Sequence, residues 1–411
     1  MSAYDMNTPL YSALKKYIDE RGLRLHMPGH IGGPGFNQSA LKVLAEFDVT
    51  EIPGLDDLHA PQGIIEEARL LLAKAYGAQE SFFLVNGASS GIHALFMALK
   101  RPDAKVLVPR NCHRSFFAGM VMAGTNPVYI PCQVNGELGA ALAVSPADVE
   151  ALLGIHHDAE AVFITSPSYY GSTCRIQDIA ALCQKYQKPL FVDEAHGGHF
   201  CFHPDYPRPA LEQGANAAVN GLHKTLPVYN QGAVLHVKGH PDTKRLRSAC
   251  SLVTTTSPSY PILASIDLAR NLMEERGREL LEAARIMAVR FRTRINMTKG
   301  LKAYDEDELK KTPGVFSLDP LKILIAFPGL RLNGFEISRI LRDEYRIQVE
   351  WENENSILAM MSMFHSAEEW ERFAQALESI AAQYYSDDHK QFLTVEAAEL
   401  PQIILSPREA Y

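Results

Sequence analysis

No run of eighteen or more apolar residues occurs anywhere in the chain, so no membrane-spanning helix is expected. The opening residues (MSAYDMNTPLYSALKKY) hold no apolar signal core and read as a mature, cytosolic N-terminus. There is no basic run, and the net charge of -8 argues against a nucleic-acid partner. The six cysteines, at 112, 132, 174, 183, 201 and 250, form no C-x-x-C pair. That spacing suits neither a zinc knuckle nor a disulfide scaffold, and the thiols read as reduced in a cytoplasmic protein. Internal repeats and low-complexity segments are also missing. What remains is an ordinary globular composition, 46% hydrophobic and 21% charged over 411 residues, long enough for a large domain and a smaller one.

Seven short apolar runs mark the middle of the chain: Ser81–Asn86, Lys105–Pro109, Pro127–Pro131, Ala161–Thr165, Pro189–Asp193, Asn216–Asn220 and Gly232–Val237. Continuous rather than alternating apolar runs are expected of strands buried on both faces. Helical periodicity lies between them, as at Ser90–Leu99 and Ile176–Tyr186. The pattern predicts an α/β domain with a mostly parallel, seven-stranded sheet. After about Pro258 it changes. Ile262–Met297 predicts one long amphipathic helix between domains. Strands at Lys322–Phe327, Gln348–Trp351 and Ile357–Met363, with helices at Gly334–Tyr345 and Ala367–Tyr384, predict a small α+β domain. The expected division is 1–50, an N-terminal segment with a helix at Pro9–Arg21 and a Gly/Pro-rich loop at Met27–Gly35; 51–261, the large domain; and 262–411, the linking helix and small domain.

Four stretches carry chemistry, all at expected strand ends, where open α/β sheets bind ligands. In residues 83–95 (FLVNGASSGIHAL) a strand runs into a small-residue turn that opens a helix. Free amides there favour an anion, and Ser89 and Ser90 could add hydroxyls; a plain helix cap is the alternative. In residues 189–200 (PLFVDEAHGGHF) Asp193 ends an apolar strand, where a carboxylate needs a charged or hydrogen-bonded partner. A protonated pyridine nitrogen would be one; capping the next element is the alternative. His196, His199 and His203 have helical spacing for a metal, but Gly197-Gly198 and Pro204 break such a helix, and no metal site is expected. In residues 220–227 (NGLHKTLP) Lys224 follows an apolar strand, with His223 before it. Desolvation there could strip its charge, as a Schiff-base amine requires; a solvated loop lysine is the alternative. In residues 106–119 (VLVPRNCHRSFFAG) His113 could lie against a planar ring or simply cap a helix. Cys112 beside it is given no role.

Together these stretches resemble the ornithine/lysine/arginine decarboxylase family of fold type I pyridoxal-phosphate enzymes. The match is collinear: TPLYSAL (8–14), LHMPGH (25–30), DVTEIPGLDDLHAPQGII (48–65), LVNGASSGI (84–92), VPRNCHRS (108–115), TSPSYYG (165–171), VDEAHGGHF (192–200), LHKTLPVYNQGAVLH (222–236) and TTTSPSYPILASID (254–267). The resemblance implies a fold type I transferase-like architecture and pyridoxal 5'-phosphate as cofactor. By the same resemblance Lys224 forms the Schiff base and later returns a proton. Asp193 holds the pyridine nitrogen protonated, and His113 stacks on the ring. Ser89 binds the phosphate with the Ala88–Ser90 turn, and His223 and His196 complete the cofactor site. His30, Glu350, Thr256 and Ser257 are implied at the substrate, with the Thr254–Ser257 segment coming from a partner subunit. The expected activity is decarboxylation of arginine, lysine or ornithine by a homodimer with a shared active site, larger assemblies remaining open. Arginine is preferred by analogy with short family members.

The chain departs from the family pattern at several places. Ala88 stands where Thr is frequent, Gly221 where Ser is common, and Ile31 where Lys is usual. No receiver-like domain is expected ahead of Thr8, and the chain ends at SPREAY (406–411), where many members continue. Two alternatives therefore stand beside the decarboxylase: another Cα reaction of aminotransferase or oxidase type, and a catalytically weakened cofactor-binding protein.

Overall fold

The computed structural model describes residues 7–24, 26–34, 36–239, 242–387, 400 and 402–411. Leu25, which opens the 25–30 motif, and Gly35, which closes the Gly/Pro-rich loop, lie outside the described residues, as do residues 1–6 of the N-terminal reading.

All seven apolar runs form strands of one sheet: β1 (Glu80–Leu84), β2 (Lys105–Pro109), β3 (Asn126–Ile130), β4 (Ala161–Thr165), β5 (Leu190–Asp193), β6 (Ala217–Asn220) and β7 (Ala233–Val237). Their spatial order is β1-β7-β6-β5-β4-β2-β3. β7 runs antiparallel to both neighbours, and every other pairing is parallel. The strands read as unbroken apolar runs because alternate residues feed two different cores. Val106, Val108, Phe163 and Phe191 face one; Leu107, Val162, Ile164 and Val192 face the other. Helices at Ala88–Met97, Arg114–Ala123, Pro146–Ile155 and Ile176–Lys185 make the crossovers.

The long helix spans Tyr260–Met297 and starts two residues before its expected beginning. Pro261 sits in its first turn, where a missing N–H costs no intrahelical bond. The N-terminal helix, Pro9–Asp19, docks on it: the Asp267 carboxylate accepts from the Leu10 amide at 3.0 Å and from Arg270 at 3.0 Å.

Beyond that helix a four-stranded antiparallel sheet forms from β8 (Lys302–Ala303), β9 (Lys322–Ala326), β10 (Trp351–Glu352) and β11 (Ser356–Met360), in the order β8-β9-β11-β10. β10 falls later than the expected Gln348–Trp351. The register is set by Asn353, whose side chain accepts from the Asn355 and Ser356 amides in the turn to β11. β11 stops at Met360 rather than Met363, because the His365 ring accepts from the Ser362 amide and turns the chain. Helices Gly334–Tyr345 and Ala367–Tyr384 both begin with a complete capping box.

A short strand at Ser172–Cys174 pairs with Val315–Leu318, a contact the sequence pattern did not reveal. It ties the loop after β4 to the approach of the small sheet. Among the described residues no helix is long and apolar enough to cross a membrane.

Candidate active site

The carboxyl ends of β4, β5 and β6 lie side by side, with Thr165 paired to Asp193 and Asp193 to Val219 in register. The loops beyond them, with those after β1 and β2, enclose a cavity of about 380 Å³. Asp193, Lys224, His113, His196 and His223 all line it, and so do Ala88 and Ser89. Five stretches of sequence, the first beginning at Gly87 and the last ending at Gln231, thus meet at the carboxyl end of the sheet.

Asp193 is only 6% exposed. Its carboxylate accepts from the Ala195 amide at 3.2 Å. Burial pushes the carboxyl above its usual range, while Lys224, the Ala195 amide and His113 pull it back. A buried carboxylate aimed at a cavity with so little direct pairing suits a ligand that brings its own N–H or positive charge.

Lys224 ends the short turn Leu222–Lys224 after β6. Burial lowers its amine below the ordinary lysine range, against the pull of Asp193 and Glu350. Its Nζ lies 3.1 Å from His196 Nε2. Gly221 leaves room for it: a Cβ at 221 would meet the Ala195 carbonyl at 3.0 Å and the Lys224 side chain at 3.3 Å. This gives the departure from serine a steric reason.

His113 is both a helix cap and part of the cavity wall. It caps helix Arg114–Ala123, its Nδ1 accepting from the Ser115 amide at 3.2 Å, and its ring lines the cavity. Burial lowers its basicity, so the ring stays neutral more readily. His223 Nδ1 donates to the Gly232 carbonyl at 2.9 Å. Gly87, Ala88 and Ser89 also line the cavity with the first turn of helix Ala88–Met97, where the Ser90 amide donates to the Gly87 carbonyl at 3.1 Å and the preceding amides lie ahead of the first intrahelical acceptors. The Thr165 hydroxyl, also in the wall, is buried without a hydrogen-bond partner.

The donor set therefore fits pyridoxal phosphate: an amine of lowered basicity, a buried carboxylate, and a helix N-terminus for an anion, all around one cavity.

Comparison with known proteins identifies the family. The family described as "Orn/Lys/Arg decarboxylase, major domain" matches residues 8–394. The arginine decarboxylase of Bacillus subtilis is 34% identical over 98% of this chain and 84% of its own length.

The chain belongs to the Orn/Lys/Arg decarboxylase family.

The lysine decarboxylase of Hafnia alvei is a more distant member, 26% identical over 79% of this chain and 50% of its own. Among solved structures, lysine decarboxylase A from Pseudomonas aeruginosa superposes with a TM-score of 0.79 at 23% identity, over 91% of this chain. This chain spans about 60% of that solved chain. Serine palmitoyltransferase of Sphingomonas wittichii (TM-score 0.63, 16% identity) shares the fold, which is that of the fold type I enzymes.

Not every residue singled out in this decarboxylase-family chain reaches the cavity. Ser90 turns away: its hydroxyl donates to the Gly87 carbonyl at 2.8 Å, leaving Ser89 as the serine of this turn at the wall. His30 pairs instead with Asp48 at 3.1 Å. Thr256 and Ser257 lie exposed and do not line their own chain's cavity. Glu350 reaches the rim through Tyr169, whose hydroxyl donates to it at 2.6 Å. The three spaced histidines do not converge on a metal: His196 faces Lys224, His199 faces Asp319 at 3.3 Å, and His203 faces Glu282 at 3.2 Å.

Sequence reasoning missed three residues in the cavity wall or behind it. Tyr169 lay unremarked inside the TSPSYYG motif. Glu194, next to Asp193, is buried: burial raises its carboxyl to about 8, against hydrogen bonds from the Ala210 amide and Asn220. Lys322 is 1% exposed and places its Nζ 3.0 Å from His196 Nδ1. Its signal was a lysine opening an otherwise apolar strand, Lys322–Ala326. Burial pushes the Cys112 thiol up to about 12, which disfavours its thiolate.

Proposed function

We propose that this chain decarboxylates a basic L-amino acid, with arginine the first substrate to test, using pyridoxal phosphate held at Lys224. The observation that carries this reading is the single cavity into which both Lys224 and the buried Asp193 open. When bound, pyridoxal phosphate supplies the electron sink that accepts the pair left at Cα as the carboxylate departs.

The chain's own residues would do the rest. Lys224 Nζ, kept less basic by burial, is the amine that holds the cofactor and the donor that returns a proton to Cα. Asp193 holds a proton on the ring nitrogen; the pairing relieves a carboxylate that burial disfavours. Ser89 and the first-turn amides of its helix bind the phosphate dianion. His113 packs on the ring face, and His223 and His196 border the anchoring amine. Tyr169 and Pro167 wall the cavity and exclude water from the reacting carbon. Glu350, held by Tyr169, is the acceptor for the cationic end of the substrate.

We further propose a homodimer with a shared site. Thr256, Ser257 and His30 stand away from their own cavity, which suits delivery to a neighbour's. The surface of the N-terminal segment carries exposed Leu23, Met27, Ile31, Val43 and Leu44, apolar area that a second copy would cover. The proposed division of the chain remains 1–50, 51–261 and 262–411. The six free thiols fit the cytoplasm.

Carbon dioxide release from arginine, lysine and ornithine, assayed in parallel with cofactor-loaded protein, tests the reaction. Release from one of them supports it. Silence from all three with the cofactor bound at Lys224 moves the reading to another reaction at Cα or to a cofactor-binding protein without turnover.

A further inference from the structure

Lys322 is the lone charged side chain of β9, and it is buried. Nothing in the proposed reaction so far uses it. Its direction is set by close packing against Gly171: a Cβ there would lie 2.6 Å from both Cβ and Cγ of Lys322, and Gly171 adopts φ of +93°. Held in this way, Lys322 Nζ approaches His196 Nδ1 at 3.0 Å, while Lys224 Nζ approaches His196 Nε2 at 3.1 Å. Two amines bracket one imidazole.

Proton counting limits what these three groups can be. Burial, then Lys322 and Lys224, drive His196 far below its usual range, so the ring is neutral. A neutral imidazole has one bare nitrogen and one N–H. The bare nitrogen can accept from an ammonium. The N–H can only donate, and the amine it faces must offer a lone pair, which an ammonium lacks. Both contacts are satisfied only when at least one of the two lysines is a free amine, and with one positive charge on the three groups the other is the ammonium.

The surroundings allow either lysine to be the neutral one. Burial lowers Lys322 to about 8, with Asp319 and Glu350 favouring its charge and Lys224 opposing it. The Tyr169 ring lies 5.5 Å from its Nζ, and Arg292 donates to its backbone carbonyl at 2.9 Å. His199 is held by Asp319. Lys224 is lowered by burial and supported by Asp193 and Glu350.

We propose that Lys322 acts through His196 as the proton-holding partner of Lys224, taking its proton when Lys224 must be a free amine and returning it afterwards. The Lys224 ammonium gives a proton to His196 Nε2 as the Nδ1 proton passes to the Lys322 lone pair. The imidazole ends as its other tautomer, no bond between heavy atoms changes, and the three groups keep one positive charge throughout. Lys322 is a positioning residue in this scheme, and its purpose rests on the reading of Lys224 as the cofactor's amine.

The test reads the Lys224 amine directly, in the full chain stripped of cofactor. Brief acetylation with acetic anhydride across a pH series, followed by peptide mass spectrometry, gives the midpoint of Lys224 reactivity. Lys322→Met leaves His196 free to accept from a charged Lys224. The midpoint should rise by about one unit, an approximately tenfold loss of labelling at pH 7. Lys322→Arg always donates to Nδ1, forces the ring proton onto Nε2, and should lower the midpoint. Unchanged midpoints in both variants, with native circular dichroism, overturn the proposal. Should Lys322→Met not fold, the arginine variant decides alone. Nitrogen-15 spectra of the wild-type histidines give a second reading: His196 should carry one proton at pH 7, and a doubly protonated ring overturns the proposal. Because no cofactor is present, these outcomes stand apart from whether pyridoxal phosphate attaches to Lys224, which borohydride trapping reports separately.

Discussion

The Tyr169 hydroxyl donates to Glu350 at 2.6 Å, joining the loop after β4 to the edge of the small sheet across 181 positions of sequence. Burial and then the Glu350 carboxylate push the phenol above its ordinary range, so Tyr169 remains a donor at every working pH. This contact fixes a carboxylate at the rim of the cavity that holds Lys224. Glu350→Gln should raise KM for the basic amino acid about tenfold or more, the scale of one charge-assisted hydrogen bond, with a smaller change in kcat. Tyr169→Phe should move KM the same way by less. Steady-state kinetics with the active substrate checks both; an unchanged KM in Glu350→Gln would remove Glu350 from the substrate site.

Asp193 carries opposite consequences for activity and stability. Its carboxylate is disfavoured by burial until a partner enters the cavity. Asp193→Asn should cut kcat on the order of 10²- to 10³-fold, the scale for losing one preorganised electrostatic contact. The cofactor-free variant should unfold at the same or a higher temperature than the wild type. Activity and thermal melts on the same preparation check this. Near-normal turnover would show that another group keeps the ring nitrogen protonated.

Much of this arrangement was legible in the residues. The strands of the large sheet announced themselves because both of their faces are buried, as Val106 and Leu107 illustrate by serving opposite cores. Asp193 and Lys224 stood out as charges closing apolar runs. Partnerships set by the approach of distant elements were not legible. Lys322 meets His196 from 126 positions away, and Asp319 meets His199 from 120. Neither spacing leaves a local pattern. The turn of the Ser90 hydroxyl back to Gly87 is a local choice of side-chain direction that composition does not decide. The steric role of Gly221 likewise appears only once Ala195 is seen to pack against it.

Glu194 predicts a pH dependence of stability. Burial raises its carboxyl from the ordinary 4.5 to about 8 in the folded chain. Between those values the native state keeps a proton that the unfolded chain has lost. The stabilisation is therefore complete below about 4.5, declines as pH rises, and is gone above about 8. Glu194→Gln keeps an uncharged side chain of similar shape. Urea midpoints at pH 5, 6, 7 and 8 should show the variant gaining on the wild type as pH rises. Parallel profiles would show that Glu194 is ionised in the native protein.

Attachment of the cofactor to Lys224 is the central claim, and borohydride reduction of the protein loaded with pyridoxal phosphate tests it most directly. Peptide mass spectrometry should find the reduced pyridoxyl group on Lys224 in the wild type, and Lys224→Ala should lose both the adduct and the visible absorption of the bound cofactor. An adduct on another lysine, or one that persists in a folded Lys224→Ala variant, would contradict the account.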